Sequence, residues 1–419
     1  MPINNIFLFE SWDIENYYPF SVLHCLWEIR CGAFRLFEKI QHQFPEAIMN
    51  FRGRKPHLAS FKTRFHYSEQ SLQKGGTIIY NASIIPKSSV WSDILEIINN
   101  PSIEHPNKLL FSTDGFVFAS YLSDIADFDP SAAYLTDFNS DFYQDATRFE
   151  CSVFDKINYL WDALSHVGHG IRDDYILLKA TMKPIEHQKH DGIHLINKSQ
   201  ILVGDNVKIM PTVVLDAESG PIIIGNNVQI MSHATIIGPC FIGDNTIIKI
   251  GAKIYENNSF GEFCKVGGEV ENSIIQSYSN KQHEGFLGHS YICEWVNLGA
   301  DTNTSDLKNT YANIKLRLPD KEVDSGRQFV GLMCGDHTKS AINSSFTTGT
   351  VAGIFGILVS DNTFPNYIQS FAWGGKKDSL TYKVSKAVEV AEIVMARRNR
   401  SLTAEERVLI SDEYEKVKK

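Results

Sequence analysis

The middle of this chain carries a large hydrophobic residue at every sixth position. The series runs without a slip through Ile224, Ile230, Ile236, Ile242, Ile248, Ile254, Phe260 and Val266. A period of six fits neither an α-helix, which repeats every 3.6 residues, nor a strand, which alternates every two. Small or thin side chains come four residues after each of the first five members: Val228, Ala234, Cys240, Thr246 and Ala252. The pattern predicts stacked coils that share one narrow, continuous core.

Turn residues keep the same rhythm. Gly225-Asn226-Asn227 and Gly243-Asp244-Asn245 lie 18 residues apart, so three sixes make one coil. Glycine and asparagine tolerate the left-handed backbone of tight corners. The series resumes between residues 334 and 353 and, before that, at Phe286, Ile292 and Leu298. The stretch Asn303 to Gln328 does not repeat, and we predict that it projects from the coils as a loop.

The first 150 residues are typical of a mixed α/β domain. A strand is predicted at Ile6 to Phe9, and strand-rich segments at Lys74 to Pro86 and Lys108 to Leu122. An amphipathic helix is predicted from apolar residues at alternating spacings of four and three: Val22, Leu26, Ile29, Ala33, Leu36 and Ile40.

Helices are also predicted around the repeat. The first runs from Ser152 to His166 and ends at Gly168 or Gly170, before a polar linker over residues 182–192. After the repeat, an amphipathic helix from Leu380 to Met395 ends in the basic run Arg397-Arg398-Asn399-Arg400. Thr403 with Glu406 forms a capping-box signature for a last helix. These C-terminal helices are expected to cap the coils or to pack on a neighbouring subunit.

Composition excludes several classes of function. The net charge of −9 and the pI of about 5.9 disfavour binding to nucleic acid or to an anionic membrane. The longest apolar run, Val351 to Val359, is far too short to span a bilayer, and no targeting segment is evident, so we expect a cytoplasmic protein. The seven cysteines include no C-x-x-C pair, which favours buried, reduced thiols over disulfides or a zinc site.

The chemically informative segment is Gly267 to Ile314. It breaks the six-residue rhythm, is rich in polar side chains and contains His283 and His289. Its composition alone is equally compatible with a solvated irregular loop. A histidine can take a proton from an attacking amine at neutral pH, while backbone N–H groups meet the developing oxyanion.

This segment resembles a known enzyme family. K-x-H-x-x-F-L-G followed by V-N-L-G-A-x-T is similar to the acetyltransferase half of the bifunctional N-acetylglucosamine-1-phosphate uridylyltransferase/glucosamine-1-phosphate acetyltransferases. The runs G-G-E-V-E-x-S, S-D-L-K-N and F-A-W-G-G resemble a divergent bacterial branch of putative sugar nucleotidyltransferases. The resemblance implies a left-handed parallel β-helix of triangular section for the repeat. It also implies a sugar nucleotidyltransferase fold, Rossmann-like, for the N-terminal domain.

The resemblance also assigns roles to individual residues. It implies that His283 is the general base and that Asn297 lies in the acceptor and acetyl-CoA site, to which Lys281 also belongs. Lys249 matches a phosphate-binding arginine, and Asp306-Leu307 matches the family's Asn-Tyr pair. Glu284 or a backbone carbonyl is expected to orient the His283 ring.

Other positions depart from the family. Val266-Gly267-Gly268 replaces a Met-Lys-Lys run, and Phe286 replaces a tyrosine. The acceptor is therefore expected to differ from glucosamine-1-phosphate, with a nucleotide-linked amino sugar as one option.

The N-terminal domain lacks the family's glycine-rich phosphate loop. Glu10-Ser11-Trp12-Asp13 follows the first strand where G-x-G-T-R is expected, and the following L-P-K-V-L-H run has no lysine here. Arg30 and Arg35 are candidate nucleotide-binding residues, and Asp114 is a candidate Mg²⁺ ligand, although Asp-Gly is also an ordinary hairpin turn. Further candidate phosphate-contacting cations are Arg52, Arg54 and Lys55.

Together these features predict a nucleotidyltransferase-like α/β domain (1–150), a linker helix and linker (151–192), a β-helix acyltransferase domain (193–360) and a C-terminal helical region (361–419). The principal hypothesis is acyl transfer from acetyl-CoA or another acyl-CoA to a sugar, sugar phosphate or sugar-nucleotide amine, by a homotrimer. Two alternatives stay open: Mg²⁺-dependent nucleotidyl transfer in the first domain, and a catalytically silent sugar-nucleotide-binding scaffold.

Overall fold

The computed structural model divides the chain into two compact units. It describes residues 3–100, 108–123, 136–151, 154–185, 192–360, 363–375 and 380–418. The N-terminal unit holds Met1–Ile14, His24–Ile29 and Phe34–Asn158, and the β-helix unit holds Glu15–Leu23, Arg30–Ala33 and Tyr159–Lys419. Two early segments thus belong with the β-helix unit, which a division at residue 150 does not anticipate.

The N-terminal unit is built on a mixed sheet of strand order β2-β1-β3-β5-β4-β6. The β2, β1 and β3 strands are parallel, whereas β5 runs antiparallel to both β3 and β4. Its strands are β1 Ile3–Phe9, β2 Ile48–Arg52, β3 Gly76–Asn81, β4 Lys108–Thr113, β5 Phe116–Leu122 and β6 Thr147–Glu150. Its α-helices are α1 Leu36–Gln43, α2 Lys55–Arg64 and α3 Ser88–Asn99. The predicted strands and the Asp114-Gly115 turn are confirmed.

The helix predicted from Val22 to Ile40 is wrong except at its C-terminal end. Short 3₁₀ turns at Phe20–Val22 and Leu26–Glu28 precede α1, which begins only at Leu36. Gly32, which lies between the second turn and α1, has a φ of 121°, a backbone conformation that α-helices do not contain. Apolar spacing alone therefore mistook a chain of separate turns for one helix.

The repeat winds into a parallel β-helix, as its six-residue period predicts. Strands that precede its first full coil are β7 Lys183–Pro184 and β8 His194–Ile196. Coils 1 to 3 consist of β9 Ile201–Val203, β10 Lys208–Ile209, β11 Val214–Asp216, β12 Ile222–Ile224, β13 Gln229–Ile230, β14 Thr235–Ile237, β15 Cys240–Ile242, β16 Ile247–Ile248 and β17 Lys253–Ile254. Coils 4 and 5 consist of β18 Asn258–Phe260, β19 Lys265–Val266, β20 Glu269–Glu271, β21 Ile274–Ile275, β22 Asn280–Lys281 and β23 Phe286–Gly288.

Later coils keep the same plan with shorter strands. Coil 6 has β24 Tyr291–Ile292, a single bridging residue at Asn297, and β25 Asn303–Thr304. An excursion follows, with an antiparallel hairpin of β26 Lys315–Arg317 and β27 Glu322–Asp324, which confirms that the coils are interrupted here. The predicted projecting loop is wrong at its start, because Asn303–Thr304 form β25 of the coil, and Leu316 and Leu318 of the excursion are buried. The remaining strands are β28 Leu332–Cys334, β29 Lys339–Ser340, β30 Ser345–Phe346, β31 Thr350–Ala352, β32 Ile357–Leu358, β33 Tyr367–Ile368, β34 Ala372–Gly374 and β35 Leu380–Thr381.

Corresponding strands of successive coils pair in parallel and form the faces of the β-helix. The first strands of the coils make the first sheet, from β9 to β33. The second strands make the second sheet, in which Asn297 bridges Asn280 of coil 5 to Lys339 of coil 7. The third strands make the third sheet, from β8 to β23. Each side chain that faces outward on a sheet therefore lies beside its counterpart one coil away, at about 4.8 Å.

The predicted isoleucines and their small neighbours are buried in one continuous core. Val266 is followed by Val270 because the corner between β19 and β20 is two residues short, and the series then continues through Ile275, Lys281 and Leu287. Leu287 is fully buried while Phe286 is only partly buried, so the residue predicted to resume the core was misplaced by one.

The corner between the first and second sheets changes character along the axis. Asn206, Asn227 and Asn245 occupy its left-handed position in coils 1 to 3. From coil 4 onward, rings that stack with their neighbours at centroid distances of 4.2–6.1 Å fill this position: Phe263, Tyr278, Trp295, His337, Phe355 and Phe371. We call these six side chains the aromatic row.

The C-terminal helices pack on the aromatic row. Helix α5 Val384–Ala396 and helix α6 Ala404–Val417 bury Ala391, Met395, Leu409 and Ile410 in one cluster with three of its rings, while Tyr278 packs against the edge of the cluster. The bulky rings at left-handed positions thus gain their burial from these helices. The Thr403–Glu406 capping box is confirmed by hydrogen bonds in both directions, of 2.8 and 3.0 Å.

Helix α4 spans Asp162–Leu178 and passes through the two glycines expected to end it. Ser152 and Val153, where that helix was predicted to begin, lie outside the described residues, as do residues 186–191 of the predicted linker. A Cβ on Gly168 would overlap the Asn257 side chain, and one on Gly170 would overlap the Cys31 carbonyl oxygen. The glycines therefore serve close packing within the β-helix unit and do not end the helix.

Gly170→Ala tests this packing. The methyl group would collide with backbone that cannot rotate away, and we expect it to destabilise the β-helix unit by about 2 kcal/mol or more despite alanine's higher helix propensity. The thermal midpoint of unfolding should fall by about 4 °C or more, whereas Ser165→Ala on the exposed side of α4 should leave it within about 2 °C. A Gly170→Ala protein as stable as the wild type would contradict the tight contact.

The cysteines and the hydropathy of the helices also bear on expectations from the sequence. All seven cysteines are free and buried, which confirms the interpretation as reduced thiols. In the part of the chain that the structure describes, none of the helices has the length and hydropathy needed to cross a bilayer.

Candidate functional site

His283 lies on the corner that joins the second sheet to the third in coil 5. The corner follows β22 and precedes β23, and the His283 side chain is exposed. Glu284, a candidate to orient the ring, instead forms an exposed ion pair with Lys253 at 3.0 Å. His283 is therefore an accessible imidazole on a fixed stretch of main chain.

Lys281 fixes that stretch from inside the β-helix. It occupies a core position of the six-residue series and is 2% exposed. Its Nζ donates to the carbonyl oxygens of His283 at 2.6 Å, Gly267 at 3.2 Å and Glu284 at 3.3 Å. Burial lowers the pKa of Lys281 to about 8, although the Glu284 carboxylate favours the charged form. The lysine predicted to contact the acceptor or acyl-CoA thus points inward, and its contacts hold the His283 corner in place.

The outward face of the second sheet carries polar side chains beside this corner. Asn280, Asn297 and Lys339 occupy equivalent outward positions in coils 5, 6 and 7. Asn280 Nδ2 lies 3.5 Å from Asn297 Oδ1, and Lys339 Nζ donates to the His337 carbonyl at 2.9 Å. Burial lowers the pKa of Lys339 to about 8. Asn297 is thus on the sheet that leads into the His283 corner, as its predicted role requires.

Lys249 lies on the same face, two coils below His283. It faces Gly267 of coil 4, which in turn faces Gln282 of coil 5: a Cβ on Gly267 would lie 2.9 Å from Lys249 Cβ and 2.7 Å from the Gln282 carbonyl oxygen. A Cβ on Gly268 would come within 2.8 Å of Lys281 Nζ and 2.6 Å of the His283 carbonyl oxygen. The Gly-Gly pair that replaces the family's lysines therefore lets Lys249 and the Gln282 main chain pack closely against coil 4 and makes room for Lys281.

Asp306 is placed away from this corner. Its carboxylate pairs with His289 Nδ1 at 2.7 Å, on the corner that joins the third sheet to the first. The His289 ring stacks on Phe329 at a centroid distance of 5.1 Å. His289 is therefore a part-buried member of a His–Asp pair. The strand β23 separates this pair from His283.

In the N-terminal unit, the residue that replaces the first phosphate-loop position is itself an anion. Glu10 follows β1, and its carboxylate accepts bonds from the Arg54 guanidinium at 2.9 and 3.2 Å and from the Arg54 and Leu26 backbone N–H groups. Arg54 also donates to the His24 carbonyl at 2.7 Å. A loop expected to offer donors to a triphosphate therefore holds a carboxylate that already engages the nearest arginine.

Two further candidate cations of the N-terminal unit, Arg35 and Arg52, are also engaged. Arg35 pairs with Glu38 at 2.8 Å, and Arg52 lies over the Phe7 ring at 5.0 Å. Arg64 pairs with Glu28 at 2.7 Å, which contributes to lowering the pKa of that buried carboxyl to about 2. Lys55 is exposed at the start of α2.

Arg30 is a buried residue of the β-helix unit. It is 1% exposed, donates to the Ala33 carbonyl and lies 5.5 Å from the Phe241 ring centroid and 3.8 Å from Glu262. For Arg30 and Arg35, contact with a nucleotide stays a prediction that these contacts do not support.

Asp114 does not fit a magnesium centre. It is exposed at the tip of the β4–β5 hairpin with a φ of 47°, the backbone of a tight Asp-Gly turn. Within the described ranges, no group of three or more histidine, cysteine or acidic side chains has the geometry to hold a metal ion. The described residues therefore show no preformed metal centre through which a reaction step can be derived.

Comparison with known proteins agrees with this two-part architecture. Residues 6–183, from β1 into β7, match the family model described as sugar nucleotidyl transferase. A bifunctional sugar-1-phosphate nucleotidylyltransferase/acetyltransferase from Sulfurisphaera tokodaii is 31% identical over 153 residues, which cover 36% of each chain. Bifunctional protein GlmU from Methanococcus aeolicus is 24% identical over 246 residues, which cover 55% of this chain and 60% of the relative.

A bacterial relative gives a similar result. Bifunctional protein GlmU from Wigglesworthia glossinidia brevipalpis is 30% identical over 173 residues, which cover 40% of this chain and 36% of the relative. The chain thus spans between about a third and three fifths of the length of these relatives. Its residues 6–183 are thus similar to sugar nucleotidyl transferases, a parallel β-helix follows, and parts of the chain are similar to bifunctional sugar-1-phosphate nucleotidylyltransferase/acetyltransferases at low identity.

Proposed function

We propose that the β-helix unit transfers an acetyl group from acetyl-CoA to the amine of a sugar phosphate or sugar nucleotide, with His283 as the general base. The observation that carries this proposal is the placement of His283: an exposed imidazole on a corner whose main chain Lys281 anchors by hydrogen bonds. The acetyltransferase named in a relative supports the reaction class. The outward asparagines of coils 5 and 6 supply amide groups to position the substrates.

The reaction needs a single proton acceptor. A neutral imidazole of His283 takes a proton from the acceptor's amine as its nitrogen attacks the thioester carbonyl. The tetrahedral intermediate then collapses, the carbon–sulfur bond breaks, and the departing sulfur takes the proton from the His283 imidazolium, which releases coenzyme A as the free thiol and restores the neutral base. Backbone N–H groups or the Asn297 amide are suited to meet the oxyanion, because such donors stabilise charge where it develops.

The experiment measures free thiol released from acetyl-CoA by the purified protein. The acceptors are amino sugars, their 1-phosphates and their nucleoside-diphosphate conjugates, and pyrophosphate release from nucleoside triphosphates with sugar-1-phosphates and Mg²⁺ is measured in parallel. We expect acceptor-dependent thiol release. Pyrophosphate release without thiol release would replace the proposal with nucleotidyl transfer, a reaction class that the family match over residues 6–183 favours. Neither product with any acceptor would reject both enzymatic functions in favour of a binding scaffold.

A homotrimer is part of the proposal. In the single chain the His283 side chain is exposed and the outward residues Asn280, Asn297 and Lys339 are partly exposed, and a neighbouring β-helix would close the site from water. Sedimentation or light scattering should therefore give about three times the chain mass of 47.3 kDa. A monomer with full thiol-release activity would contradict the shared site.

A further inference from the structure

Basic side chains from two distant parts of the chain meet at one edge of the second sheet. Lys265 has an outward position on β19, opposite Ile247 of β16. Lys249 lies two residues beyond Ile247 and therefore faces outward on the neighbouring coil. The run that follows α5 contributes Arg397, Arg398 and Arg400. We call these five side chains the basic cluster.

Packing of α5 fixes the helical part of the cluster. Met395, in the last turn of α5, is buried against the hydrophobic cluster that includes Trp295 and Phe355 of the aromatic row. Row members precede the outward positions of the second sheet by two residues, as Phe263 precedes Lys265 and Tyr278 precedes Asn280. The Arg400 guanidinium lies over the Tyr278 ring at 5.9 Å. The end of α5 is thus held beside coils 4 and 5.

The cluster concentrates positive charge. Lys265 has a lowered pKa because of burial and of the charges of Arg398, Lys249 and Arg397. Among the hydrogen bonds and ion pairs that the described residues form, none joins these five side chains to a carboxylate. Burial, followed by the charges of Glu294 and Glu262, raises the pKa of Tyr278, which indicates that these two carboxylates lie near this edge, and Glu262 lies 3.8 Å from the Arg30 guanidinium.

Such a cluster opposes folding unless an anion offsets it. Like charges on neighbouring strands and on an adjoining helix end repel one another. The chain as a whole is acidic, with a net charge of −9, so this concentration of cations is not a reflection of its composition. A bound polyanion would remove the repulsion and form charge-assisted hydrogen bonds with lysine and arginine.

We propose that the basic cluster binds the diphosphate of a nucleotide-bearing substrate. This inference rests on the proposed function, and it makes the acceptor of the acetyl group a sugar nucleotide. Lys265 pairs with Ile247 and Lys249 lies beside Gly267, so the two lysines are diagonal neighbours on successive coils, and the arginines approach from the helix end. This spread suits two linked phosphates better than one. Lys249, Gly267 and Gln282 occupy the same position in coils 3, 4 and 5, and Gln282 is the residue before His283. The diphosphate would therefore lie about two coil spacings, or roughly 10 Å, from the base.

Coenzyme A also contains a diphosphate, but its pantetheine arm separates that group from the thioester. In a nucleoside-diphosphate amino sugar, only the sugar ring separates the diphosphate from the amine. The short path from Lys249 to His283 thus favours the sugar nucleotide as the source of the diphosphate.

Binding is tested by calorimetry at low and at moderate salt, with inorganic pyrophosphate, inorganic phosphate, a nucleoside diphosphate and coenzyme A. We expect pyrophosphate and the nucleoside diphosphate to bind about tenfold or more tightly than phosphate. The Arg397→Gln/Arg398→Gln double variant and Lys265→Gln should each weaken both by about tenfold or more. Lys208→Gln is the matched control, because Lys208 is the exposed outward residue of the same sheet in coil 1.

The ligands that lose affinity identify the source of the diphosphate. If the variants bind the nucleoside diphosphate more weakly than the wild type and bind coenzyme A with unchanged affinity, the sugar nucleotide is the source of the diphosphate. If only their affinity for coenzyme A falls, that assignment is overturned and the cluster is part of the donor site. Pyrophosphate affinity that does not differ from phosphate affinity, or that is equal in all variants, would overturn the diphosphate site. Because this readout is binding, a protein that binds pyrophosphate but releases no thiol would reject the proposed acyl transfer and leave the site standing.

Discussion

Replacing His283 with alanine is expected to lower the turnover number for acyl transfer by about 10²–10⁴-fold, the usual contribution of a positioned general base. The side chain is exposed on a coil corner, so its removal should leave stability within about 0.5 kcal/mol of the wild type. The KM for acetyl-CoA should change little, because the imidazole acts on the acceptor's amine. Steady-state kinetics of acceptor-dependent thiol release, beside a thermal unfolding curve, measure both expectations.

His289→Ala is the matched control for that experiment. Both histidines flank β23, but His289 is held by Asp306 on the opposite corner. Turnover should survive in His289→Ala and in Glu284→Gln, since the Glu284 carboxylate is in an exposed ion pair with Lys253 that contributes little. If His289→Ala abolishes turnover while His283→Ala retains it, the base is the His–Asp pair and the assignment of His283 is wrong.

Lys281→Met is expected to reduce both stability and turnover. Methionine fills the apolar part of the core position but leaves the carbonyl oxygens of Gly267, His283 and Glu284 without their buried donor. We expect a loss of about 2 kcal/mol or more at neutral pH, seen as a lower thermal midpoint. Because the His283 carbonyl loses its anchor, kcat should also fall, by up to about 10²-fold, with a smaller change in KM.

The pH dependence of this effect has a definite sign. The pKa of Lys281 is about 8 in the folded protein and 10.5 for an unperturbed lysine. Between those values the unfolded state binds more protons than the folded state, so the stability that Lys281 contributes rises with pH. The stability difference between wild type and Lys281→Met should therefore grow by up to about 3 kcal/mol from pH 8 to pH 10.5.

Lys253→Met is the control, because it removes an exposed lysine whose ion pair with Glu284 lies at the surface. A stability difference for Lys281→Met that does not change with pH would mean that Lys281 is not buried in the coil interior. Unchanged kcat in a destabilised Lys281→Met protein would limit this lysine to a structural role.

Several predictions made from the sequence agree with the structure because they rest on local or repeated constraints. The six-residue series predicted the β-helix, since each coil can bury its isoleucines only on those of the next coil. The capping box at Thr403 needs contacts across three residues, which a sequence specifies by itself. The departure at Lys281 was also visible in the sequence, as a charge at a core position between Ile275 and Leu287, but the chemistry that it serves was not.

Contacts between distant segments decided what the sequence alone did not. Apolar spacing over Val22 to Ile40 predicted a helix because it ignores Gly32, and the glycines of α4 were taken as helix ends because their role depends on Asn257 and Cys31. The candidate cations near the start of the chain looked available for a phosphate. Only the tertiary structure pairs Arg54 with Glu10, residues 44 positions apart.

The sequence by itself determined the β-helix, its approximate extent and the corner that bears His283, because a six-residue period and a short motif are properties of neighbouring residues. The tertiary structure decided which charged side chains are buried, which are paired and which lie beside like charges. It buried Lys281, paired Asp306 with His289 and brought Arg397 and Arg398 beside Lys265, more than 130 residues earlier in the chain. Electrostatic contacts of this kind depend on distance in space, which the spacing of residues along the chain does not encode.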